Sequence, residues 1–215
     1  MLSRRSFLVA LAGAPLAACN TMGTGNGLSA WYVGYAPDRP YPIPLVDKSR
    51  MRPELVRQVV AYRGPERPGT VVVDIDQRFL YLVQGGDTAI RYGVGVGKRG
   101  FSWRGTATVG RKAVWPDWGP TGRMLKIRPY LPRHMAGGLG NPLGSRALYL
   151  YQNGRDTMFR LHGTNEPWSI GTQVSSGCVR LLNEDIVDLY NRVPVGATVV
   201  VRRGGALRVA GVFRR

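Results

Sequence analysis

Residues 162–180 read HGTNEPWSIGTQVSSGCVR. This stretch sets His162, one of only two histidines, sixteen positions before Cys178, one of only two cysteines. Both adjoin a glycine, where backbone can come close to a substrate. The pairing suggests a thiol nucleophile with an imidazole partner. A buried inert cysteine is the plainer alternative. The small polar approach Ser175-Ser176-Gly177 argues against it, because such residues pack a core poorly.

Working outward, residues 147–151 (ALYLY) and 157–161 (TMFRL) are β-rich runs on either side of a polar turn at 152–156. The second delivers His162 at its C-terminal end, where a side chain can leave the sheet and face a cleft. After the cysteine, residues 179–182 are apolar and strand-like. Asn183 is a suitable N-cap for a helix over 184–192, with Ile186, Leu189, Tyr190 and Val193 on one face. Residues 197–202 predict a further strand, and 207–213 an edge.

Upstream, 71–76, 78–83 and 88–97 predict three strands of an antiparallel meander, with shorter strands at 106–109 and 112–115. The Gly- and Pro-dense segment 119–144 predicts a long irregular excursion, the kind of loop that is more often functional than idle. It holds His134, read as an exposed loop histidine or a substrate gate. Residues 20–69 read as a tether and extended arm before a core domain at 70–203, with a tail or edge strand at 204–215. One short helix is expected at 53–60. Trp31, Tyr32, Tyr35 and Tyr41 either line a glycan-binding surface or pack the arm onto the domain.

The first nineteen residues, MLSRRSFLVALAGAPLAAC, have a positive start, a short apolar core and a small-residue end. The apolar run is well short of the ~20 residues of a membrane-spanning helix, so it reads as an export signal. Ser3-Arg4-Arg5-Ser6-Phe7-Leu8 resembles a twin-arginine signal, or is an ordinary positive n-region. Leu16-Ala17-Ala18-Cys19 resembles a lipobox that would leave Cys19 lipid-modified, or is a plain signal-peptidase site. Either way the mature chain is expected in the periplasm or cell envelope. A consumed Cys19 leaves Cys178 without an internal disulfide partner.

The chain has 215 residues, 44% of them hydrophobic, with 29 Gly and 15 Pro, which suits one loop-rich and mainly β domain. Its formal net charge of +17 comes from 30 Lys and Arg against 13 Asp and Glu. The arginines are scattered and accompany no nucleic-acid motif, so a basic surface that attracts anionic wall polymer or lipid headgroups is expected, and nucleic-acid binding is not. Two histidines and one mature cysteine at unrelated spacings predict no metal site, and no cofactor is expected.

An ordinary cysteine with a pKa of about 8.5 is mostly protonated at neutral pH and needs an imidazole or amide dipoles to act. Gly177 and Cys178 can offer two backbone N–H groups to an oxyanion, each such donor being worth ~10²-fold or more in rate. Arg180, two residues on, shares a face with Cys178 if the segment is extended. It either grips a substrate carboxylate or neutralises an internal acid.

His162-Gly163-Thr164, the loop that follows, and Ser175-Ser176-Gly177-Cys178-Val179-Arg180 resemble the two-part signature of the L,D-transpeptidase catalytic domain, or YkuD domain. The resemblance extends over about residues 70–203. It implies a β-sandwich-like fold with one or two short helices and a cysteine acyltransferase acting on peptidoglycan stem peptides. It also implies Cys178 as nucleophile, His162 as base, and the Gly163 carbonyl as orienter of the imidazole. The oxyanion hole falls at Gly177 and Cys178, and Thr164, Ser176 and Arg180 on the substrate side. Ser176 stands where the family commonly has histidine, which touches substrate binding rather than the base. In such enzymes the acyl group passes from a tetrapeptide stem to an amine, on another stem or on an envelope lipoprotein, or to water. A catalytically silent wall-binding lipoprotein is the reading from a different class.

Overall fold

Alternation of apolar side chains decides which way the strands face. Val71 and Val73 of β4 (Val71–Asp74), Leu80 and Leu82 of β5 (Phe79–Val83), and Ile90 and Tyr92 of β6 (Thr88–Gly93) bury in one core. Their neighbours Val72, Tyr81, Val83 and Ala89 bury in a second cluster on the other face. Two covered faces explain why the run VVV carries no polar alternation. The computed structural model describes residues 29–97, 104–174 and 178–203.

The main sheet has nine strands in the order β12-β10-β9-β8-β13-β4-β5-β6-β3. The others are β3 (Gln58–Ala61), β8 (Gly105–Val114), β9 (Arg146–Gln152), β10 (Arg155–His162), β12 (Val179–Arg180) and β13 (Thr198–Arg202). The pairs β13/β4 and β10/β12 are parallel and the rest antiparallel. Gly95, just past β6, exchanges both backbone hydrogen bonds with Arg180 of β12 at 2.9 Å. One end of the strand order, β12, therefore meets the continuation of β6, next to the other end, and the sheet curls around the larger core as a sandwich-like, mainly β fold. Helix α2 (Asn183–Arg192) closes that core with Ile186, Leu189 and Val193. A hairpin of β1 (Tyr32–Ala36) and β2 (Ile43–Val46) and a parallel pair of β7 (Val96–Gly97) and β11 (Gln173–Val174) complete the strands.

Several expectations are corrected. Residues 53–60 are not one helix: Pro53–Leu55 is a single 3-10 turn, and the β-branched Val59 and Val60 continue as β3, paired with β6. The third meander strand stops at Gly93, and the residues beyond it turn to pair with Arg180 and β11. The two short strands after Gly105 are one strand, β8, whose register shifts between Val109 and Arg111. Gly110 sits at that bulge because a Cβ there would lie 2.3 Å from the Tyr151 ring. The excursion at 119–144 includes a short helix α1 (Gly122–Ile127), whose N-cap Thr121 accepts from the Met124 N–H at 3.3 Å. Helix α2 begins at Asn183 itself, with Leu182 as its N-cap, because the Asn183 side chain is engaged elsewhere.

Aromatic residues of the arm pack onto the domain. Trp31 lies 6.4 Å from Trp168 and Tyr41 5.3 Å from Trp115, centroid to centroid. Residues 207–213, expected as an edge within the tail 204–215, lie outside the described residues.

Candidate active site

Leu161 of β10 and Val179 of β12 point into the core, so their neighbours point the other way. The parallel register sets Leu161 beside Val179 and His162 beside Arg180. Arg160, His162, Cys178 and Arg180 therefore share the face opposite the core, and sheet pairing brings the histidine and cysteine together as diagonal neighbours.

The two groups differ in their surroundings. His162 is buried at 3% exposure, and its Nδ1 lies 2.6 Å from the Gly163 carbonyl oxygen. A carbonyl only accepts, so Nδ1 carries the proton and donates it, and the Nε2 lone pair is left to take another. Burial first, and then the positive charge of Arg180, push the His162 pKa down to about 3; the Gly163 carbonyl works against that shift. Cys178 is half-buried, with Sγ 3.9 Å from the Met158 carbonyl oxygen. Burial raises its thiol pKa, while the Arg160 N–H and the charges of Arg160 and Arg180 pull it back.

Among the described residues no hydrogen bond joins imidazole and thiol. Both groups are neutral at neutral pH, so the arrangement suits proton transfer during attack rather than a preformed thiolate and imidazolium pair.

The segment that holds His162 is itself held by Asn183. The Asn183 Oδ1 accepts from the Ser145 N–H at 2.9 Å, its Nδ2 donates to the Thr164 carbonyl at 2.9 Å, and the Ser145 hydroxyl donates to the Asn183 carbonyl at 3.2 Å. A Cβ on Gly163 would sit 2.3 Å from that Oδ1, so only glycine lets the amide reach both loops. The Gly163 N–H donates to the Arg146 carbonyl at 3.0 Å. The carbonyl that orients the imidazole thus belongs to a peptide pinned on both sides.

Thr164, expected on the substrate side, is 2% exposed, and its hydroxyl accepts from the Glu166 N–H at 3.0 Å, which turns it toward its own loop. Arg180 is buried and pairs with the carboxylate of Glu166, a partly exposed acid of the same loop. His134 is exposed and 3.1 Å from Asp117 Oδ2. Cys19, Ser176 and Gly177 lie outside the described residues. Among the described residues no group of three or more His, Cys, Asp and Glu side chains is arranged to hold a metal ion.

Sequence reasoning passed over Arg160 and gave Asn183 a different role. Arg160 carries a readable signal: it stands two positions before His162 in a strand, hence on the same face. The double engagement of Asn183 has no local signal, because its partners are about 20 and 38 positions away.

Residues 68–201 match the family model described as the L,D-transpeptidase catalytic domain, YkuD. The chain is 40% identical over 139 residues to the probable L,D-transpeptidase YbiS of Escherichia coli K12, a stretch covering 61% of this chain and 43% of that protein. It is 36% identical over 143 residues to the probable L,D-transpeptidase ErfK/SrfK of the same strain, covering 63% and 44% respectively. The chain therefore spans less than half the length of these curated relatives. A crystal structure from Brucella melitensis, described as a probable carnitine operon oxidoreductase, shares 48% identity and covers 73% of this chain and 99% of that one. Its TM-score of 0.49 is too low to assign fold or activity. With the family model covering well over half of its residues, the chain belongs to the L,D-transpeptidase catalytic domain family.

Proposed function

We propose that this protein is an envelope cysteine acyltransferase whose donor is the tetrapeptide stem of peptidoglycan. The observation that carries the proposal is the Nδ1–H of His162 held on the Gly163 carbonyl, with Cys178 on the same sheet face.

In the first half-reaction the thiol of Cys178 attacks the carbonyl of the third, diamino-acid residue as Nε2 of His162 takes the thiol proton. A carbon–sulfur bond forms, and the negative charge on oxygen meets the backbone amides of Gly177 and Cys178. The imidazolium returns its proton to the departing nitrogen, the peptide bond breaks, and D-alanine leaves. In the second half-reaction an acceptor amine attacks the thioester and loses its proton through the same imidazole, and the free thiol is restored. An amine on a neighbouring stem gives a direct diamino-acid crosslink, and an amine of an envelope lipoprotein gives wall attachment. Water in the same place gives an L,D-carboxypeptidase. Ser176 belongs to the substrate side of the cleft in this reading.

The export-type residues 1–19 support a location outside the cytoplasm, with Cys19 as a lipid anchor in the cell envelope. Replacing Cys19 by Ser should release the mature protein from membranes, and unchanged retention would remove the anchor from the account.

Function is tested by incubating the protein with a labelled tetrapeptide donor and an amine, then measuring released D-alanine and the tripeptide products by mass spectrometry. Tripeptide joined to the amine is expected. Free tripeptide alone would mean hydrolysis, and no release by a folded protein would mean a silent wall-binding protein.

A further inference from the structure

The cleft face carries a second feature that the acyl-transfer steps leave unused. Arg111 of β8 pairs with Tyr149 of β9, and Tyr149 pairs with Arg160 of β10, next to Cys178 at the entry to β12. These four residues make one row across the sheet, ending at the nucleophile. Lys112, beside Arg111, donates instead to the Tyr190 and Val193 carbonyls of the α2 side, which confirms that Arg111 faces away from the core.

Tyr149 is 7% exposed and is flanked by two guanidinium groups, Arg111 at 3.5 Å and Arg160 at 4.3 Å from its ring centroid. The two arginines are not equivalent. Arg160 is committed to Asp156, with Nη1–Oδ1 at 2.7 Å and Nη2–Oδ2 at 2.9 Å, a two-pronged pair that occupies its fork. Arg111 is exposed, and among the described residues no carboxylate pairs with it. Stacking fixes the plane of a guanidinium and leaves its N–H edges directed outward, which is the geometry that captures a carboxylate with two parallel hydrogen bonds. Its charge lies over β9, two strand spacings or about 10 Å from the strand of Cys178. The two stem residues before the attacked carbonyl span about 7 Å at about 3.3 Å per residue, and a carboxylate branching from them covers the rest of that gap.

We propose that Arg111, held over the Tyr149 ring that Arg160 of the Arg160–Asp156 pair also contacts, is an anion subsite that reads a carboxylate of the acyl donor. This rests on the acyl-transfer reading and adds to it the preference for donors whose non-reacting carboxylates are free rather than amidated.

The test uses the full mature protein and a set of tetrapeptide donors in which each carboxylate in turn is converted to its amide. KM is measured for wild type, Arg111→Gln, Arg111→Lys and Arg155→Gln, the last removing an exposed charge at the turn of the β9–β10 hairpin. A lost charge-assisted hydrogen bond pair is expected to cost about tenfold in binding. For one donor pair, wild type should therefore prefer acid over amide about tenfold. Arg111→Gln should bring that ratio to about one, Arg111→Lys should recover part of it, and Arg155→Gln should keep the wild-type ratio. An acid-to-amide ratio that Arg111→Gln leaves unchanged for every donor would overturn the subsite while leaving acyl transfer intact. An equal loss in Arg155→Gln would overturn it in favour of bulk charge. If no variant and no wild type releases D-alanine from any donor, the acyl-transfer reading fails, and the subsite with it.

Discussion

At the scale of single residues, the direction of one hydrogen bond decides the chemistry. The Gly163 carbonyl holds the proton on Nδ1 of His162, and burial keeps the ring neutral with a pKa near 3. The base form is therefore present throughout the mildly acidic range. We expect the rate of Cys178 acylation at pH 5 to stay within about twofold of its value at pH 7. A histidine with the ordinary pKa of about 6.5 would lose about 25-fold over the same interval. Stopped-flow acylation across that range separates the two. Replacing His162 by Ala removes the proposed general base and should lower the rate by about 10²–10⁴-fold with the fold intact by circular dichroism. Asn183→Ala removes two buried side-chain hydrogen bonds and leaves the Ser145 N–H and Thr164 carbonyl unpaired. A loss of about 2–3 kcal/mol in urea unfolding is expected. The His162 and Cys178 pair was legible in the sequence because motif spacing is local. The role of Asn183 was not, because capping propensity and a long-range amide bridge compete for the same side chain, and only the folded chain shows which wins.

At the scale of elements, α2 carries an unusual acid in its first turn. Asp185 is 1% exposed, and burial, the largest influence, raises its pKa to about 6 despite Lys48 and Arg57 nearby. Its folded pKa lies above the unfolded value near 4. The stability it contributes is therefore present below about pH 4 and is lost as pH rises through about 6. Asp185→Asn keeps the neutral form at all pH values. It should raise the melting temperature relative to wild type more at pH 8 than at pH 4, with a gain on the order of 1–2 kcal/mol at the higher pH, partly offset by the lost pairing with Arg57. Calorimetry at the two pH values checks this. The apolar face of α2 was readable from helical spacing, as were the meander strands and the β9–β10 hairpin. That hairpin closes through Asn153 at φ 51° and Gly154 at φ 74°, a tight turn of the kind an Asn-Gly pair favours. The bulge at Gly110 was not readable, because two short β-rich runs with a glycine between them look alike whether the chain turns or merely kinks.

At the scale of the whole molecule, strand order and the role of the arm lay beyond local patterning. The last described strand, β13, inserts between β8 and β4 at the centre of the sheet, and β3 adds its far edge from residues before Thr70. Neither follows from periodicity, since any exposed strand edge accepts any partner of the right length. The arm also fastens the domain near the site. Asp38 takes both Nη atoms of Arg146, at 2.8 and 2.7 Å, and the Trp115 indole N–H at 2.9 Å. Arg146 is 7% exposed, and its carbonyl receives the Gly163 N–H. Asp38→Ala leaves that guanidinium buried without its acid and should cost about 3–5 kcal/mol in chemical unfolding, far more than removal of an exposed charge.

The central claim is that Cys178 is an acyl-accepting nucleophile served by His162, and a strained acyl donor tests it most directly. Intact mass spectrometry after incubation with a carbapenem should show one adduct of the drug's mass on the wild type, a much slower adduct on His162→Ala, and none on Cys178→Ala. A folded wild-type protein that gains no mass, or a Cys178→Ala variant that gains as much as the wild type, would contradict it.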